Sequence, residues 1–381
     1  MAMDVMNDAL AMDASGRRVI HMEVGQPGTP APEPALQAVA MALQDETLGY
    51  TPGLGRADLR AGLSDFYART YGVEVAAERF VITNGSSAGF ILTFLAMLDA
   101  GGRLAMTVPG YPCYRQIAAA LGIAPVPLRI GPETGWKLTA SALAAAQADG
   151  GVDALLLASP ANPTGTMLAA EELAGIVAQC RAGNTVFISD EIYHGLTYDA
   201  PATTALALTD DVIVVNSFSK YFSMTGWRVG WLVVPPTLVA TFERLSQHLF
   251  ICAPNVAQVA ACAALGAGDA CEAMRAHYAQ NRQLILEALP ALGFSNFAPA
   301  DGAFYVFMDV GAQSAARQAA GTRSAQGDPY TSMDWARDLL AEHAVAVTPG
   351  LDFDPEHGGD FVRLSYAGPR EDVAEGLRRI A

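Results

Sequence analysis

The stretch VIVVNSFSKYFSMTGWRVGWLVV, residues 212–234, places a single lysine between two apolar runs. The two runs have the composition of buried strands. Lysine is rarely buried, and a desolvated lysine beside another cation has a lowered pKa and can attack a carbonyl. Ser217, Ser219 and Arg228 supply the donors that a phosphate needs. The stretch predicts that Lys220 forms a Schiff base with a phosphorylated aldehyde, although a surface lysine with turn-capping serines explains it equally well.

Length and composition limit the class of protein. The chain has 381 residues, 51% of them apolar, which suits one large and one smaller domain. The formal net charge of −16 argues against nucleic acid and anionic membranes as partners. The five cysteines lack a C-x-x-C pair, so no disulfide framework or metal site is predicted and a cytoplasmic location is expected. The acidic N-terminus is unlike a signal peptide, and no apolar run reaches membrane-spanning length.

Predicted strands and helices alternate between residues 80 and 234. This alternation predicts an α/β fold with a mostly parallel sheet sandwiched by helices. Ligands of such sheets bind at the carboxyl ends of the strands. Asn162, Asp190 and Lys220 each follow a predicted strand, roughly thirty residues apart, which is about one βαβ unit. The regular spacing predicts that these three residues form one site.

A second candidate anion site follows the predicted strand at 80–83. The segment Asn84-Gly85-Ser86-Ser87-Ala88-Gly89 is predicted to be a turn that leads into a helix from about Phe90. Open backbone N–H groups and the helix macrodipole favour an anion at such a position. An ordinary strand–helix turn with serine caps explains the segment equally well.

The chain is predicted to divide into two domains. The large domain spans 45–288, and a smaller α+β domain combines 1–44 with 289–381. Residues 311–329 are rich in Ala, Gln, Gly and Ser and are predicted to be a flexible insertion in the smaller domain. We expect this insertion to influence substrate preference.

Eight motifs, in the same order along nearly the whole chain, resemble those of the class I/II aminotransferases, which are fold-type I pyridoxal 5'-phosphate enzymes. Each motif is weak alone, and the eight in order are specific. They are GQPG at 25–28, GYTPGLG at 49–55, NGSSAGF at 84–90, PGYPCY at 109–114, SPANPTG at 159–165, SDEIYH at 189–194, SFSKYFSMTGWRVGW at 217–231 and FVRLSYA at 361–367.

The resemblance implies roles around the cofactor ring. Lys220 would hold the cofactor as a Schiff base and then move the substrate proton, while Asp190 would keep the pyridine nitrogen protonated. Asn162 and Tyr193 would hydrogen-bond the phenolate oxygen of the ring, and Tyr111 would stack on the ring. A helix N-cap at Asp190 and packing roles for the two tyrosines remain open alternatives.

The phosphate ligands implied by the resemblance come from two segments. Ser217, Ser219 and Arg228 would bind the phosphate, joined by Ser86 and Ser87.

The resemblance also implies how the substrate is held. Arg363 would bind the α-carboxylate, since a guanidinium can contact it bidentately. Gly25 would offer a backbone N–H to the same carboxylate, and Asn162 would also touch the substrate. Tyr50 would reach the phosphate of a neighbouring subunit, so the active unit would be a homodimer with shared active sites.

The predicted function is ping-pong transfer of an amino group from an L-amino acid to a 2-oxo acid. A C–S lyase or β-eliminase on the same scaffold is the alternative, because the motifs barely separate these reactions. A cofactor-sensing regulator needs a DNA-binding module, and the acidic segment of roughly twenty residues at the N-terminus is too short for one. Few basic residues lie near the expected pocket segments, which favours neutral or aromatic substrates over dicarboxylates.

Overall fold

The computed structural model describes residues 2–322 and 329–380, and side chains from residue 4 onward. Within these ranges the strands are β1 (Ile20–His21), β2 (Phe80–Thr83), β3 (Arg103–Val108), β4 (Ala124–Arg129), β5 (Ala154–Ala158), β6 (Val186–Asp190), β7 (Ile213–Ser217), β8 (Gly230–Val233), β9 (Tyr305–Asp309), β10 (Val345–Ala346), β11 (Thr348–Pro349) and β12 (Phe361–Ser365). The helices are α1 (Ala2–Ala14), α2 (Glu33–Asp45), α3 (Ala57–Tyr71), α4 (Gly85–Met97), α5 (Pro112–Ala120), α6 (Ala140–Ala148), α7 (Ala170–Ala182), α8 (Val239–Phe250), α9 (Asn255–Ala264), α10 (Gly268–Ala291), α11 (Gly311–Ala319), α12 (Ser332–His343) and α13 (Arg370–Ile380).

A seven-stranded sheet forms the centre of the larger part, in the order β2-β8-β7-β6-β5-β3-β4. The neighbours from β7 to β4 pair in parallel, while β8 runs antiparallel to both β7 and β2. The predicted mostly parallel α/β sheet is therefore confirmed. Apart from the edge strand β4, its strands are mostly buried on both faces, which explains why the sequence shows continuous apolar runs rather than alternation.

Helices cover both faces of this sheet. Val214 of β7 faces the side packed by α3, α7 and α9, and its neighbour Val215 faces the side packed by α4, α5 and α8. This division follows from the two-residue repeat of a strand. Burying each large apolar side chain stabilises the folded state by about 1.5–3 kcal/mol. The two helical layers therefore hold the parallel strands in place, with their carboxyl ends along one edge of the sheet.

The remaining strands form two small sheets. Strands β11, β12 and β9 make an antiparallel sheet, and β1 pairs in parallel with β10. The two sheets share a core that includes Tyr278, Phe304, Trp335 and Leu364. Helix α2 instead packs on α9, and its Ala35 lies in the core beneath the large sheet. The domain boundaries at 45–288, 1–44 and 289–381 stay a prediction.

Two predicted local structures are wrong. The first turn of α4 begins at Gly85 rather than near Phe90, so the glycine–serine segment is itself the helix N-terminus. Helix α11 occupies the first half of the segment predicted to be flexible, because alanine, glutamine and arginine favour helix and one face packs inward at Ser314. Residues 323–328 of that segment lie outside the described ranges. Among the described helices, none combines the length and apolar composition needed to cross a membrane.

Candidate active site

One cavity of ≈ 460 Å³ lies at the carboxyl ends of β5, β6 and β7. Its walls bring together most of the predicted site residues, although they are scattered from the first thirty residues to the last twenty. The predicted residues that line it are Gly25, Ser86, Ser87, Tyr111, Asn162, Asp190, Tyr193, Ser219, Lys220, Arg228 and Arg363.

Lys220 follows β7 and projects its amine into this cavity. Its Nζ donates to the carbonyl oxygen of Gly25, and the rings of Tyr193 and Phe304 are each 5.8 Å away. Burial, helped by the positive charge of Arg363 and opposed by Asp190, lowers the pKa of the Lys220 amine to about 8. A substantial fraction of the amine is therefore neutral near pH 8, which is the form that attacks a carbonyl.

Asp190 ends β6 and is 2% exposed. Its Oδ2 accepts a hydrogen bond from the hydroxyl of Tyr114, and its Oδ1 accepts from the backbone N–H of Ile192 at 3.0 Å. Burial raises the pKa of this carboxyl from 3.8 to about 6. A buried carboxylate with two neutral donors gains most from a cationic partner, and a protonated ring nitrogen is such a partner.

The N-terminus of α4 and Arg228 form one end of the cavity. A Cβ added at Gly85 would lie 2.4 Å from Nη2 of Arg228, so only a glycine lets the guanidinium approach the helix start this closely. Ser86, Ser87 and Ser219 line the same cavity. Helix N–H groups, hydroxyls and a guanidinium together make an anion site, which fits a phosphate.

Arg363 projects from β12 into the cavity and is 6% exposed. Its Nη1 donates to Oδ1 of Asn162 at 2.9 Å, and its Nη2 donates to the carbonyl oxygen of Glu23 at 2.7 Å. The guanidinium carbon lies 4.2 Å from the ring centroid of Tyr305 and 4.9 Å from that of Phe353. Its buried Nε has no hydrogen-bond partner among the described residues. The arginine is thus held in place with donor capacity left for a carboxylate.

Two tyrosines and a glycine complete the wall between Lys220 and Arg363. The hydroxyls of Tyr193 and Tyr305 are 2.9 Å apart. A Cβ at Gly25 would lie 2.4 Å from the hydroxyl of the buried Tyr305, so glycine is the residue that lets the backbone approach this tyrosine closely. The carbonyl oxygen of Gly25 accepts from Lys220, and Tyr305 beside Gly25 stacks on Arg363. The Gly25 backbone is therefore near a group bound at Lys220 or at Arg363.

Comparisons with known proteins agree with this geometry. The model of the family described as "Aminotransferase class I and II" matches residues 17–380. The chain is 44% identical to valine–pyruvate aminotransferase of Mycobacterium tuberculosis, with 99% of this chain and 94% of that protein covered. The chain belongs to the class I and II aminotransferases.

Solved structures of aminotransferases share the fold over the whole chain. An aminotransferase from M. tuberculosis superposes with a TM-score of 0.92 at 43% identity, covering 100% of this chain and 95% of that one. Aspartate aminotransferase from Thermus thermophilus, solved with maleate, gives 0.89 at 29% identity, covering 99% and 95%. The protein is a pyridoxal 5'-phosphate-dependent aminotransferase that transfers amino groups between amino acids and 2-oxo acids. The predicted family, reaction and cofactor are confirmed.

Two of the residues predicted for this aminotransferase site lie off the cavity wall. The hydroxyl of Ser217 is buried, donates to the carbonyl oxygen of Val229 at 3.0 Å and is 2.8 Å from Oγ of Ser219. It is therefore placed to orient Ser219 rather than to touch a ligand. Tyr50 is 84% exposed and lies beside Ile251, in a surface groove away from the cavity of its own chain.

Among the cavity-wall residues that were not predicted, four have a clear place in the site. Tyr114 binds Asp190, Glu23 holds Arg363 by its carbonyl, and Met6 and Phe353 close the cavity. Tyr114 lies within the PGYPCY motif, so its hydroxyl could have identified it as a site residue from the sequence. Met6 and Phe353 stand in no motif, and only the packing of the two ends of the chain brings them here.

Gly85→Ala is expected to weaken cofactor binding by about tenfold or more, because the new Cβ displaces Arg228 from the anion site and one charge-assisted hydrogen bond contributes about 1.5–3 kcal/mol. Equilibrium binding of pyridoxal 5'-phosphate, followed by its absorbance, measures the change. Gly72→Ala is the matched control, since Gly72 also has a positive φ, +66° against +74°, but has open space around it. Equal weakening in both variants would show that backbone strain alone is responsible.

Proposed function

We propose that amino transfer is carried out by Lys220, Asp190, Asn162, Tyr193 and Arg363 acting from the walls of this one cavity. The observation that carries the proposal is the Lys220 amine, whose pKa is lowered to about 8 and which faces the same cavity as Asp190 and Arg363. When bound, pyridoxal 5'-phosphate supplies an aldehyde for the amine and an electron-accepting ring. Lys220 would then take the proton from the substrate Cα and deliver it to the cofactor carbon that carried the aldehyde.

The other polar residues hold the reacting groups in position. The Asp190 carboxylate keeps a proton on the pyridine nitrogen, helped by the hydroxyl of Tyr114, which fixes its orientation. Asn162 uses its Oδ1 on Arg363, which leaves its amide N–H groups for the ring oxygen and the substrate. Tyr193 would donate to the same ring oxygen, and Tyr111 would pack against the ring.

Substrate orientation depends on Arg363 and Gly25. The guanidinium is stacked on Tyr305, so the carboxylate meets a planar, pre-oriented donor. The Gly25 backbone lies beside both Lys220 and Tyr305 and is placed to contact the same carboxylate. Fixing the carboxylate fixes which bond to Cα faces the Lys220 amine.

Arg363→Lys tests this assignment. We expect kcat/KM for any amino acid to fall by about 10- to 100-fold, mainly through KM, because a lysine replaces a bidentate contact by a single ammonium. Arg282→Lys is the matched control: Arg282 also stacks on a tyrosine, 5.3 Å from the ring centroid of Tyr198, but lies outside the cavity. Steady-state kinetics with both variants decides, and an equal loss in the two, or none in Arg363→Lys, contradicts the assignment.

We also propose that the enzyme is a homodimer with shared active sites. Tyr50, 84% exposed, and Ile251, 52% exposed, line one surface groove with Phe250, and exposed apolar groups of this kind mark protein interfaces. In a dimer Tyr50 would reach the phosphate site of the second copy. Sedimentation analysis at assay concentration measures the state, and a fully active monomer contradicts the proposal.

The expected location is the cytoplasm. All five cysteines are free thiols, as in a reducing compartment. Cell fractionation with antibody detection checks this location.

A further inference from the structure

Tyr305 connects two residues to which the proposed function gives separate tasks. Its strand β9 pairs with β12 so that Phe307 lies opposite Arg363, which puts Tyr305, two residues before Phe307, on the same face of the sheet as Arg363. The guanidinium carbon of Arg363 lies 4.2 Å from the centroid of the Tyr305 ring, and the Tyr305 hydroxyl lies 2.9 Å from that of Tyr193. One side chain therefore contacts both the residue that would bind the substrate carboxylate and the residue that would bind the ring oxygen of the cofactor.

The direction of the hydrogen bond between the two tyrosines follows from the group to which Tyr193 would donate. Burial raises the pKa of Tyr193 well above its usual value and also raises that of Tyr305, although the charge of Arg363 opposes the rise. Both phenols therefore keep their single hydrogen at neutral pH. In the proposed function the hydrogen of Tyr193 goes to the ring oxygen of the cofactor. The 2.9 Å bond is then donated by Tyr305 and accepted by the oxygen of Tyr193.

The Tyr305 ring is held on several sides. Tyr305 is 1% exposed, and its ring lies edge-on to that of Tyr193, with a centroid distance of 5.7 Å and an interplanar angle of 82°. The ring of Phe304 is 4.8 Å away, and the Gly25 backbone is so close that a Cβ there would lie 2.4 Å from the hydroxyl. Because a phenol is rigid, the position of its face against Arg363 and the position of its hydroxyl at Tyr193 are fixed together.

We infer that Tyr305 is a positioning residue for amino transfer: its ring orients Arg363 for the substrate carboxylate, and its hydroxyl orients Tyr193 toward the ring oxygen of the cofactor. The inference rests on the proposed roles of Arg363 and Tyr193. The two parts of the side chain act on different quantities, since the ring affects binding of the carboxylate and the hydroxyl affects the reaction of the bound substrate. Substitutions that remove one part at a time therefore separate the two roles.

Tyr305→Phe removes the hydroxyl and keeps the ring. The reaction of the cofactor-loaded enzyme with the best amino-acid donor of a panel is followed by the cofactor absorbance. We expect the maximal rate to fall by about 3- to 10-fold, the size of one neutral hydrogen bond, and the half-saturating donor concentration to change by less than about twofold. A rise in the half-saturating concentration at an unchanged rate, or no change in either quantity, overturns the inference.

Tyr198→Phe is the matched control. Tyr198 also has an arginine over its ring, Arg282 at 5.3 Å, and its hydroxyl also donates a hydrogen bond, to the carbonyl oxygen of Ala303, but it is not on the cavity wall. We expect its maximal rate and half-saturating concentration to stay within about twofold of wild type. An equal fall of the rate in Tyr198→Phe and Tyr305→Phe would show that loss of a tyrosine hydroxyl outside the cavity is sufficient, and it overturns the inference.

A double-mutant cycle tests whether the hydroxyl acts through Tyr193. Tyr193→Phe removes the donor to the ring oxygen, so it should lower the maximal rate and shift the pH midpoint of the visible absorbance of the bound cofactor. Tyr305→Phe should shift that midpoint in the same direction and by less. In the Tyr193→Phe background, Tyr305→Phe should change the rate by less than about twofold and leave the midpoint in place, because no hydroxyl remains to be oriented.

The cycle also separates the inference from the proposed function. Equal effects of Tyr305→Phe in the wild type and in the Tyr193→Phe background overturn the inference and leave the proposed function intact. A Tyr193→Phe enzyme with the rate and the midpoint of the wild type contradicts the proposed role of Tyr193, and the inference with it.

Tyr305→Leu removes the ring as well and tests its contact with Arg363. Butyrate, a carboxylate without an amino group, is titrated into the cofactor-loaded proteins with the cofactor absorbance as the signal. We expect its Kd to rise by about 3- to 30-fold in Tyr305→Leu, the size of a buried cation–π contact, and by less than about twofold in Tyr305→Phe. An unchanged Kd in Tyr305→Leu overturns the role of the ring. If Tyr305→Leu does not fold, Tyr305→Phe decides, since only a ring that still holds Arg363 leaves the Kd unchanged while the rate falls.

Discussion

Lys220→Ala is expected to lower kcat by at least about 10⁴-fold, because it removes both the amine that binds the cofactor and the base that moves the substrate proton; general acid–base catalysis alone contributes about 10²–10⁴-fold. The phosphate contacts at Ser219, Arg228 and the start of α4 remain, so the variant should still bind the cofactor without a covalent link. Single-turnover kinetics measures the rate, and borohydride reduction followed by peptide mapping measures the link.

The lysine content of the chain makes this experiment unusually clean. The sequence contains two lysines, Lys137 and Lys220. Lys137 is paired with Glu172 on the surface, 3.0 Å from Oε2, and lies away from the cavity. Lys137→Ala is therefore the matched control and should keep both the adduct and the activity. Turnover at the native rate by Lys220→Ala, or an adduct that maps to Lys137, would refute the assigned role.

Asp190→Asn is expected to lower kcat/KM by about 10²–10⁴-fold, since a buried partner of a cation contributes about 3–5 kcal/mol when its loss leaves that cation unpaired. The ring nitrogen then loses the carboxylate that keeps it protonated. Tyr114→Phe is the graded control, because it removes one hydrogen bond to Asp190 and keeps the charge. It should cost about 10- to 100-fold, from about 1.5–3 kcal/mol. A loss in Tyr114→Phe as large as that in Asp190→Asn would contradict a role for the charge itself.

Asp190→Asn should also stabilise the cofactor-free protein, and the size of this effect depends on pH. Burial raises the pKa of Asp190 from 3.8 to about 6, so the folded state holds the proton more tightly than the unfolded state. Folding stability is therefore lost as the pH rises through this range, and the loss is complete above about 6. It corresponds to about 3 kcal/mol. Thermal unfolding should give a higher Tm for Asp190→Asn than for wild type at pH 8 and equal values near pH 4; a lower Tm at pH 8 would contradict this.

The expected loss of activity and gain of stability in Asp190→Asn have one cause. Asp190 ionises in a site from which water is largely excluded, and its negative charge is unfavourable until a cation binds beside it. Activity needs the charge, and the empty protein is more stable without it. A carboxylate that is needed for activity but destabilises the empty protein is expected in a site that binds a cationic ring nitrogen.

The sequence alone predicted the structural elements that are set by residues close together in the chain. Apolar runs in 80–234 gave the parallel strands because both faces of that sheet are buried. Since parallel strands end on one edge, the spacing of Asn162, Asp190 and Lys220 was enough to predict that they share a site. The local errors, at the start of α4 and at α11, arose where serine, glycine and glutamine occur as readily in helices as in loops.

Tertiary structure alone decided which polar atoms meet. Arg363 binds Asn162, which is 201 residues away in the chain, and Glu23, which is 340 residues away. Ser217 turns inward, and its hydroxyl lies 2.8 Å from that of Ser219. No local pattern encodes such pairings, because they depend on how the two ends of the chain pack against the large sheet. Sequence therefore determined the cofactor class and the residues available for it, whereas packing determined which of those residues meet and how they are oriented.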